Sequence, residues 1–151
     1  MHSIIDEAVS KFQMQLDEKG GIIKMELGAK SDHLMADKVH ITNAIYNLID
    51  NAIKYTPTAP IIHIKTINEK DNLLVSVCDN GIGISKENHS KVFDKLYRVS
   101  TGNLHDTKGF GLGLNYVKTV VERHDGDVKV TSKLNKGSTF TLSIPMNNIE
   151  R

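Results

Sequence analysis

The sequence predicts a single α/β domain. Three long segments carry the apolar spacing of amphipathic helices, and short runs of β-branched residues lie between and after them. The chain has 151 residues, which suits one domain with a core of its own. No repeat, low-complexity tract or linker-like stretch divides it, so residues 1–151 are expected to form one unit.

The first helix is expected from Ile4 to about Lys19, where Ile4, Ile5, Ala8, Val9, Phe12 and Leu16 make one greasy face and Gly20-Gly21 stops it. Ile22 to Leu27 alternates and reads as a short strand. Asp37 looks like a helix cap. After it a wide apolar stripe runs from Val39 to Ile53, and Thr56-Pro57 ends the helix because a residue before proline is pushed out of the helical region. Ile61–Ile67 and Leu73–Asp79 read as a hairpin across the polar Asn68–Asn72. A glycine turn and a short helix around Glu87–Tyr97 follow. Val99 to Gly109 is polar with little periodicity and reads as a loop. Gly113 to His124 returns to helix, and Asp127–Ser132 with Ser138–Ile144 form a last hairpin across Leu134-Asn135-Lys136-Gly137.

Composition excludes several functions. Nineteen Lys and Arg against eighteen Asp and Glu leave a formal charge of +1, so bulk charge does not drive binding to nucleic acid or membrane. The lone Cys78 excludes an internal disulfide framework and a cysteine-based zinc site. No apolar run approaches the roughly 18–20 residues of a membrane helix. The start lacks a signal-peptide core, having acids in its first turns. The expectation is a soluble domain of a reducing compartment, which could still belong to a larger membrane-bound protein.

Three groups of residues carry chemistry. Asn47, Asn51 and Lys54 lie at i, i+4 and i+7, on one helix face opposite the apolar stripe, with Asp50 beside them. Two asparagines on one face weaken a helix. They would offer neutral oxygens to Mg²⁺, and Lys54 an ammonium to phosphate; a plain solvated face is the alternative. Asp79 ends a strand and is followed by Gly81 and Gly83. A carboxylate there can accept a hydrogen bond from a buried amine such as that of adenine, although Asp-Asn-Gly is also ordinary turn chemistry. Finally, Lys108 precedes Gly109, Gly111 and Gly113, which open a helix. Such a loop aims backbone N–H groups and the positive dipole end at an anion. Its spacing is neither the dinucleotide fingerprint nor a P-loop, and a glycine-rich hinge is the alternative.

Taken in order, these segments resemble the ATP-binding catalytic domain of sensor histidine kinases, whose superfamily includes gyrase, the heat-shock-90 chaperone and mismatch-repair ATPases. The resemblance rests on four boxes: the N box, Asn47 to Tyr55 (NLIDNAIKY), a first glycine box, Asp79 to Ile84 (DNGIGI), the F box, Val92 to Val99 (VFDKLYRV), and a second glycine box, Gly109 to Leu114 (GFGLGL). It implies a two-layer α/β sandwich, with a mixed, mostly antiparallel sheet packed against about three helices. It also implies an ATP lid over about residues 99–110. Asn51 would bind Mg²⁺, with Asn47 near the phosphates and Lys54 paired to them. Tyr55 would stack on adenine, and Asp79 would accept the adenine amine, rejecting GTP. Gly81 and Gly83 would let the backbone approach the nucleotide. Gly109, Gly111 and Gly113 would close on the phosphates, and Thr139 would touch the adenine pocket. Arg98 and Lys108 would be further phosphate partners, and Ile84 and Leu112 complete the nucleotide-binding set.

Two departures from the family pattern stand out. ATP-hydrolysing relatives carry a glutamate general base at the first N-box position; Asn47 cannot take that proton. This favours transfer to another protein over hydrolysis. Leu96 stands where many members have a second aromatic.

The phosphoacceptor motif is missing. His105-Asp106 and His124-Asp125 are the only His-acid pairs, and neither is followed by proline, the prolines being Pro57, Pro60 and Pro145. The expected function is therefore half an enzyme. It binds Mg-ATP and passes the γ-phosphate to a histidine on a separate dimerisation domain, with a response regulator downstream. No nucleic acid is expected as a partner. The fragment itself is expected to be monomeric and to lie on the cytoplasmic side of a membrane-anchored sensor. The rivals are a stand-alone anti-sigma-type serine kinase, against which NAIKYTP and the F box speak, and a nucleotide-binding module without catalysis.

Overall fold

The structure, a computed structural model, describes residues 1–95 and 113–146. Their order is α1 (His2–Glu18), β1 (Ile22–Leu27), α2 (Lys38–Lys54), β2 (Ile61–Glu69), β3 (Asn72–Cys78), two one-turn 3₁₀ segments (Lys86–Asn88 and Lys91–Phe93), α3 (Gly113–Arg123), β4 (Asp127–Lys133) and β5 (Gly137–Pro145). The strands form one sheet in the order β1-β2-β3-β5-β4. Only β1 with β2 is parallel; the other three pairings are antiparallel. The mixed, mostly antiparallel sheet under three helices is the sandwich expected from the sequence.

Strand alternation explains why the sheet has one greasy face. Val75 and Val77 of β3 stand opposite Leu142 and Phe140 of β5, and Ile64 of β2 stands opposite Val77, so the inward residues form continuous rows. The helices cover those rows with their apolar stripes. On the other face Glu26 pairs with Lys65 at 3.2 Å and Ser76 meets Thr141 at 3.1 Å. That face is largely polar, and among the described residues no helix covers it.

α2 is the central beam. Asp37 caps it as expected, its carboxylate accepting the His40 amide at 3.1 Å. At the other end Lys19 Nζ donates to the Ile53 carbonyl at 2.9 Å, satisfying one of the last carbonyls with a cation. α3 is docked on the start of α2 through His124. Its Nδ1 donates to the Val120 carbonyl at 2.7 Å and its Nε2 accepts the Asp37 amide at 3.1 Å, which fixes the neutral tautomer.

Two expectations change. The short helix around Glu87–Tyr97 is replaced, as far as residue 95, by the two 3₁₀ turns, because Lys86 to Ser90 offers no apolar stripe to bury. The β2–β3 turn is tighter than Asn68–Asn72: the strands continue to Glu69 and from Asn72, and Lys70 takes φ 54°. The lid expected at about 99–110 lies outside the described residues, as do Arg98, Lys108, Gly109, Gly111 and Leu112.

Leu142 is fully buried, whereas Ile67 on the outer face is 52% exposed. Urea unfolding should show Leu142→Ala losing about 2–5 kcal/mol, while Ile67→Ala stays within about 1 kcal/mol. Equal losses would mean that the outer face is packed as well.

Candidate nucleotide-binding site

Asp79 follows the last residue of β3 and is tied to β5 in both directions. Its amide donates to the Ser138 carbonyl at 2.8 Å, and the Ser138 amide donates back to Oδ1 at 3.2 Å. Gly81 N–H donates to the same Oδ1 at 2.9 Å. One carboxylate oxygen is thus held by two backbone donors, while no described residue donates to Oδ2. Burial raises the Asp79 pKa, and the Gly81 and Ser138 hydrogen bonds oppose that rise. A largely enclosed carboxylate with one uncommitted oxygen suits recognition of a buried N–H donor.

The turn after Asp79 is wedged between α2 and the last hairpin. Ile82 N–H donates to the Tyr55 carbonyl at 3.0 Å, and the Ile82 carbonyl accepts from Asn135 N–H at 2.8 Å. A Cβ on Gly81 would lie 2.6 Å from the Tyr55 carbonyl oxygen. On Gly83, at φ +70°, it would lie 2.1 Å from the Lys133 carbonyl oxygen. Both glycines are therefore demanded by the protein's own backbone packing. Ile84 is anchored through its amide to Ser132 Oγ at 2.7 Å and through its carbonyl to His89 Nε2 at 3.0 Å.

The second group lies along α2. Asn47 Nδ2 donates to the Asn43 carbonyl at 3.0 Å, and Asn47 Oδ1 stands 3.2 Å from where a Cβ on Gly113 would sit. The start of α3 therefore rests against the first N-box asparagine. Asn51 is half-buried one turn on. Lys54 forms an i,i+4 ion pair with Asp50 at 2.6 Å, so in this structure its ammonium neutralises Asp50. Tyr55 caps α2, half-buried, and joins this group to the first through its carbonyl. Asn115 Nδ2 donates to the Phe93 carbonyl at 3.0 Å, and Phe93 sits edge-on to Phe140 at 6.1 Å.

Strand alternation bears on the expectation for Thr139. Thr139 stands opposite Cys78 and Thr131, both exposed, so strand alternation turns it to the polar outer face. Its neighbour Ser138, buried and bonded to Asp79, occupies the inner position. Counting alternation back from Phe140 would have found it. Gly137 was missed too. At φ +107°, its Cβ would strike the Asp79 carbonyl oxygen at 2.0 Å. Asn80 was also missed; its Oδ1 accepts the Ile61 amide at 2.8 Å and fixes the turn to the start of β2.

The donor set bears on metal as well. No group of three or more His, Cys, Asp or Glu among the described residues could hold a metal ion. Asn47 and Asn51 supply neutral amide oxygens, which fits an ion held mainly by phosphate and water, as Mg²⁺ is.

A raised carboxyl pKa has a definite sign. The stability available below the ordinary carboxylate range is lost as pH rises through the folded-state value, because the buried group must ionise. Asp79→Asn keeps an oxygen for both amides and carries no charge. In denaturant titrations it should be more stable than the unsubstituted protein at neutral pH, the gap closing as pH falls. A loss of stability at neutral pH would show that the ionised form is the one the fold favours.

Comparison with known proteins agrees with this geometry. The family described as "Histidine kinase-, DNA gyrase B-, and HSP90-like ATPase" matches residues 36–148. Sensor protein RprX of Bacteroides fragilis is 45% identical over 147 residues, covering 96% of this chain and 28% of RprX. The sensor-like histidine kinase SenX3 of Mycobacterium tuberculosis is 35% identical over 144 residues, covering 95% of this chain and 35% of SenX3. The chain thus spans about a third of these relatives or less. The solved catalytic domain of histidine kinase ThkA superposes with a TM-score of 0.83 at 25% identity, covering 96% of this chain and 91% of that one. With the fold, the N box and the Asp79 turn in place, the chain belongs to the histidine kinase-, DNA gyrase B- and HSP90-like ATPase family, as a domain of the sensor histidine kinase type.

Proposed function

We propose that this domain binds Mg-ATP and passes its γ-phosphate to a histidine on a separate dimerisation domain of the same kinase, with a response regulator as the next acceptor. The observation that carries the nucleotide half is Asp79, a largely enclosed carboxylate with one oxygen held by two backbone amides and the other without a described donor. Adenine offers an amine there and guanine a carbonyl, so the carboxylate selects ATP. Tyr55, at the end of α2, supplies the ring to stack on the base. Asn51 would hold Mg²⁺, with Asn47 near the phosphates, and Lys54 would exchange Asp50 for phosphate oxygens. Bound Mg²⁺ would neutralise charge on the triphosphate. Gly113, against Asn47, begins the helix whose N-terminal amides face that end, with Gly109, Gly111 and Leu112 before it in the sequence. Arg98 and Lys108 are further candidates for the phosphates.

Asn47 also bears on the reaction. A neutral amide cannot act as general base toward water, which favours transfer over hydrolysis. The nucleophile is a neutral imidazole nitrogen supplied by the partner, and this domain contributes positioning and charge stabilisation. No helix among the described residues is long and apolar enough to cross a membrane. We place the domain, as a monomer, on the cytoplasmic side of a membrane-anchored sensor, with no nucleic-acid partner.

The test is incubation with labelled ATP, Mg²⁺ and a matching phosphoacceptor hairpin. Acid-labile, base-stable label on histidine is the expected result. Label on serine would instead identify a serine kinase, and ATP binding without transfer a module that only binds nucleotide. In calorimetry, Asp79→Asn should lose about 1–3 kcal/mol of ATP affinity, because its amide presents a donor to a donor. Unchanged affinity would remove Asp79 from the site.

A further inference from the structure

The residues around Asp79 include a hydroxyl hub on β4. Ser132 Oγ lies 2.7 Å from the Ile84 amide, 2.9 Å from the Gly137 carbonyl and 2.8 Å from Ser138 Oγ. A serine hydroxyl has one hydrogen and two lone pairs. The carbonyl can only accept, so the single Ser132 hydrogen goes to Gly137. The amide can only donate, so it takes one lone pair. The remaining contact then has one possible direction: Ser138 donates its hydroxyl hydrogen to Ser132.

This sets the polarity of Ser138. With its hydrogen spent on Ser132, its oxygen can only accept from anything else, and among the described residues no donor reaches it. Ser138 is buried, and its own amide is bonded to Asp79 Oδ1. Two acceptors therefore belong to residues bonded to each other, the Asp79 carboxylate and the Ser138 oxygen. An exocyclic amine carries two hydrogens and satisfies both, directly or through one water. A carbonyl at the same place of a purine satisfies neither and leaves buried acceptors facing an acceptor.

We propose that Ser132 is a positioning residue for purine discrimination: by taking the Ser138 hydroxyl hydrogen, it makes the groups around Asp79 acceptor-only, which admits an amino-purine nucleotide and rejects an oxo-purine one. The inference rests on the adenine reading of Asp79 given above. Ser132 acts through Ser138 and does not touch the base. When Ser132 is lost, the Ser138 hydroxyl is free to turn and donate to a guanine carbonyl.

The experiment is calorimetric binding of ATP and of GTP, each with Mg²⁺, to the unsubstituted domain and its variants. Ser132→Ala is expected to reduce the ATP-over-GTP preference by about tenfold, with GTP affinity unchanged or improved. Ser132→Thr keeps the hydroxyl on a strand that suits a β-branched residue and should restore the preference. In a Ser138→Ala background, Ser132→Ala should leave the preference where Ser138→Ala alone puts it. Equal losses for ATP and GTP, or the same drop in preference without Ser138, would overturn the proposal and leave Ser132 a merely structural residue. If Ser132→Ala does not fold, Ser138→Ala and Ser132→Thr decide: the first must lower the preference and the second must keep it. An unsubstituted domain that binds ATP and GTP alike overturns the adenine reading itself, a result distinct from any variant's failure.

Discussion

The two-way bond between Asp79 and Ser138 is the joint on which the site depends. β3 has just ended at Cys78, and a strand end left to itself frays into solvent. Here the Asp79 amide continues the ladder by one more bond to the Ser138 carbonyl, and the Asp79 carboxylate accepts the next amide in return. The chain can then turn sharply, because Gly81 N–H bonds to the same carboxylate oxygen. The joint holds Asp79 at the inner face of the sheet and leaves its second oxygen uncommitted. Gly137 makes the close approach of the two strands possible, since any side chain there would strike the Asp79 carbonyl. Burying a carboxylate in this way disfavours its charged form and raises its pKa, against which the Gly81 and Ser138 amides work. Functional sites commonly carry such local costs, which the surrounding fold sustains.

α2 brings the other half of the site to the joint. Its apolar stripe is fixed on the sheet by burial, so the opposite face has no freedom to rotate. Asn47, Asn51 and Lys54 are thereby oriented without needing contacts to each other. The beam is held at both ends, by Asp37 and by Lys19, and the Tyr55 carbonyl at its end accepts the Ile82 amide. One rigid helix thus connects the asparagine face to the Asp79 turn. α3 completes the arrangement from its two ends, Gly113 against Asn47 and His124 against Asp37.

Much of this was legible in the sequence, for identifiable reasons. The stripes of α1 and α2 and the alternation of β2, β3 and β5 follow directly from which side chains must be buried, and those elements are where the pattern put them. The N box and the Asp79 turn were legible because they combine residues that a plain helix or turn would not need together. What escaped notice depends on distance in space. Nothing local says that Lys133 and Asp79 carbonyls crowd Gly83 and Gly137. Ser132 gave no signal, since a serine on a strand is ordinary until its three partners converge. Thr139 came from the family resemblance, although the two-residue period of the strand already separates it from the inward Ser138. The helix expected around Glu87–Tyr97 gives way to two 3₁₀ turns as far as residue 95, because the polar stretch from Lys86 to Ser90 has no apolar stripe to bury.

The most direct measurement is a crystal structure of the domain with a non-hydrolysable ATP analogue and Mg²⁺. The adenine amine should lie at hydrogen-bond distance, about 2.7–3.2 Å, from Asp79 Oδ2, with the phosphates toward Asn47, Asn51 and the start of α3. A base bound elsewhere, with Asp79 Oδ2 still facing no donor, would contradict the assignment of this joint as the nucleotide-recognising centre.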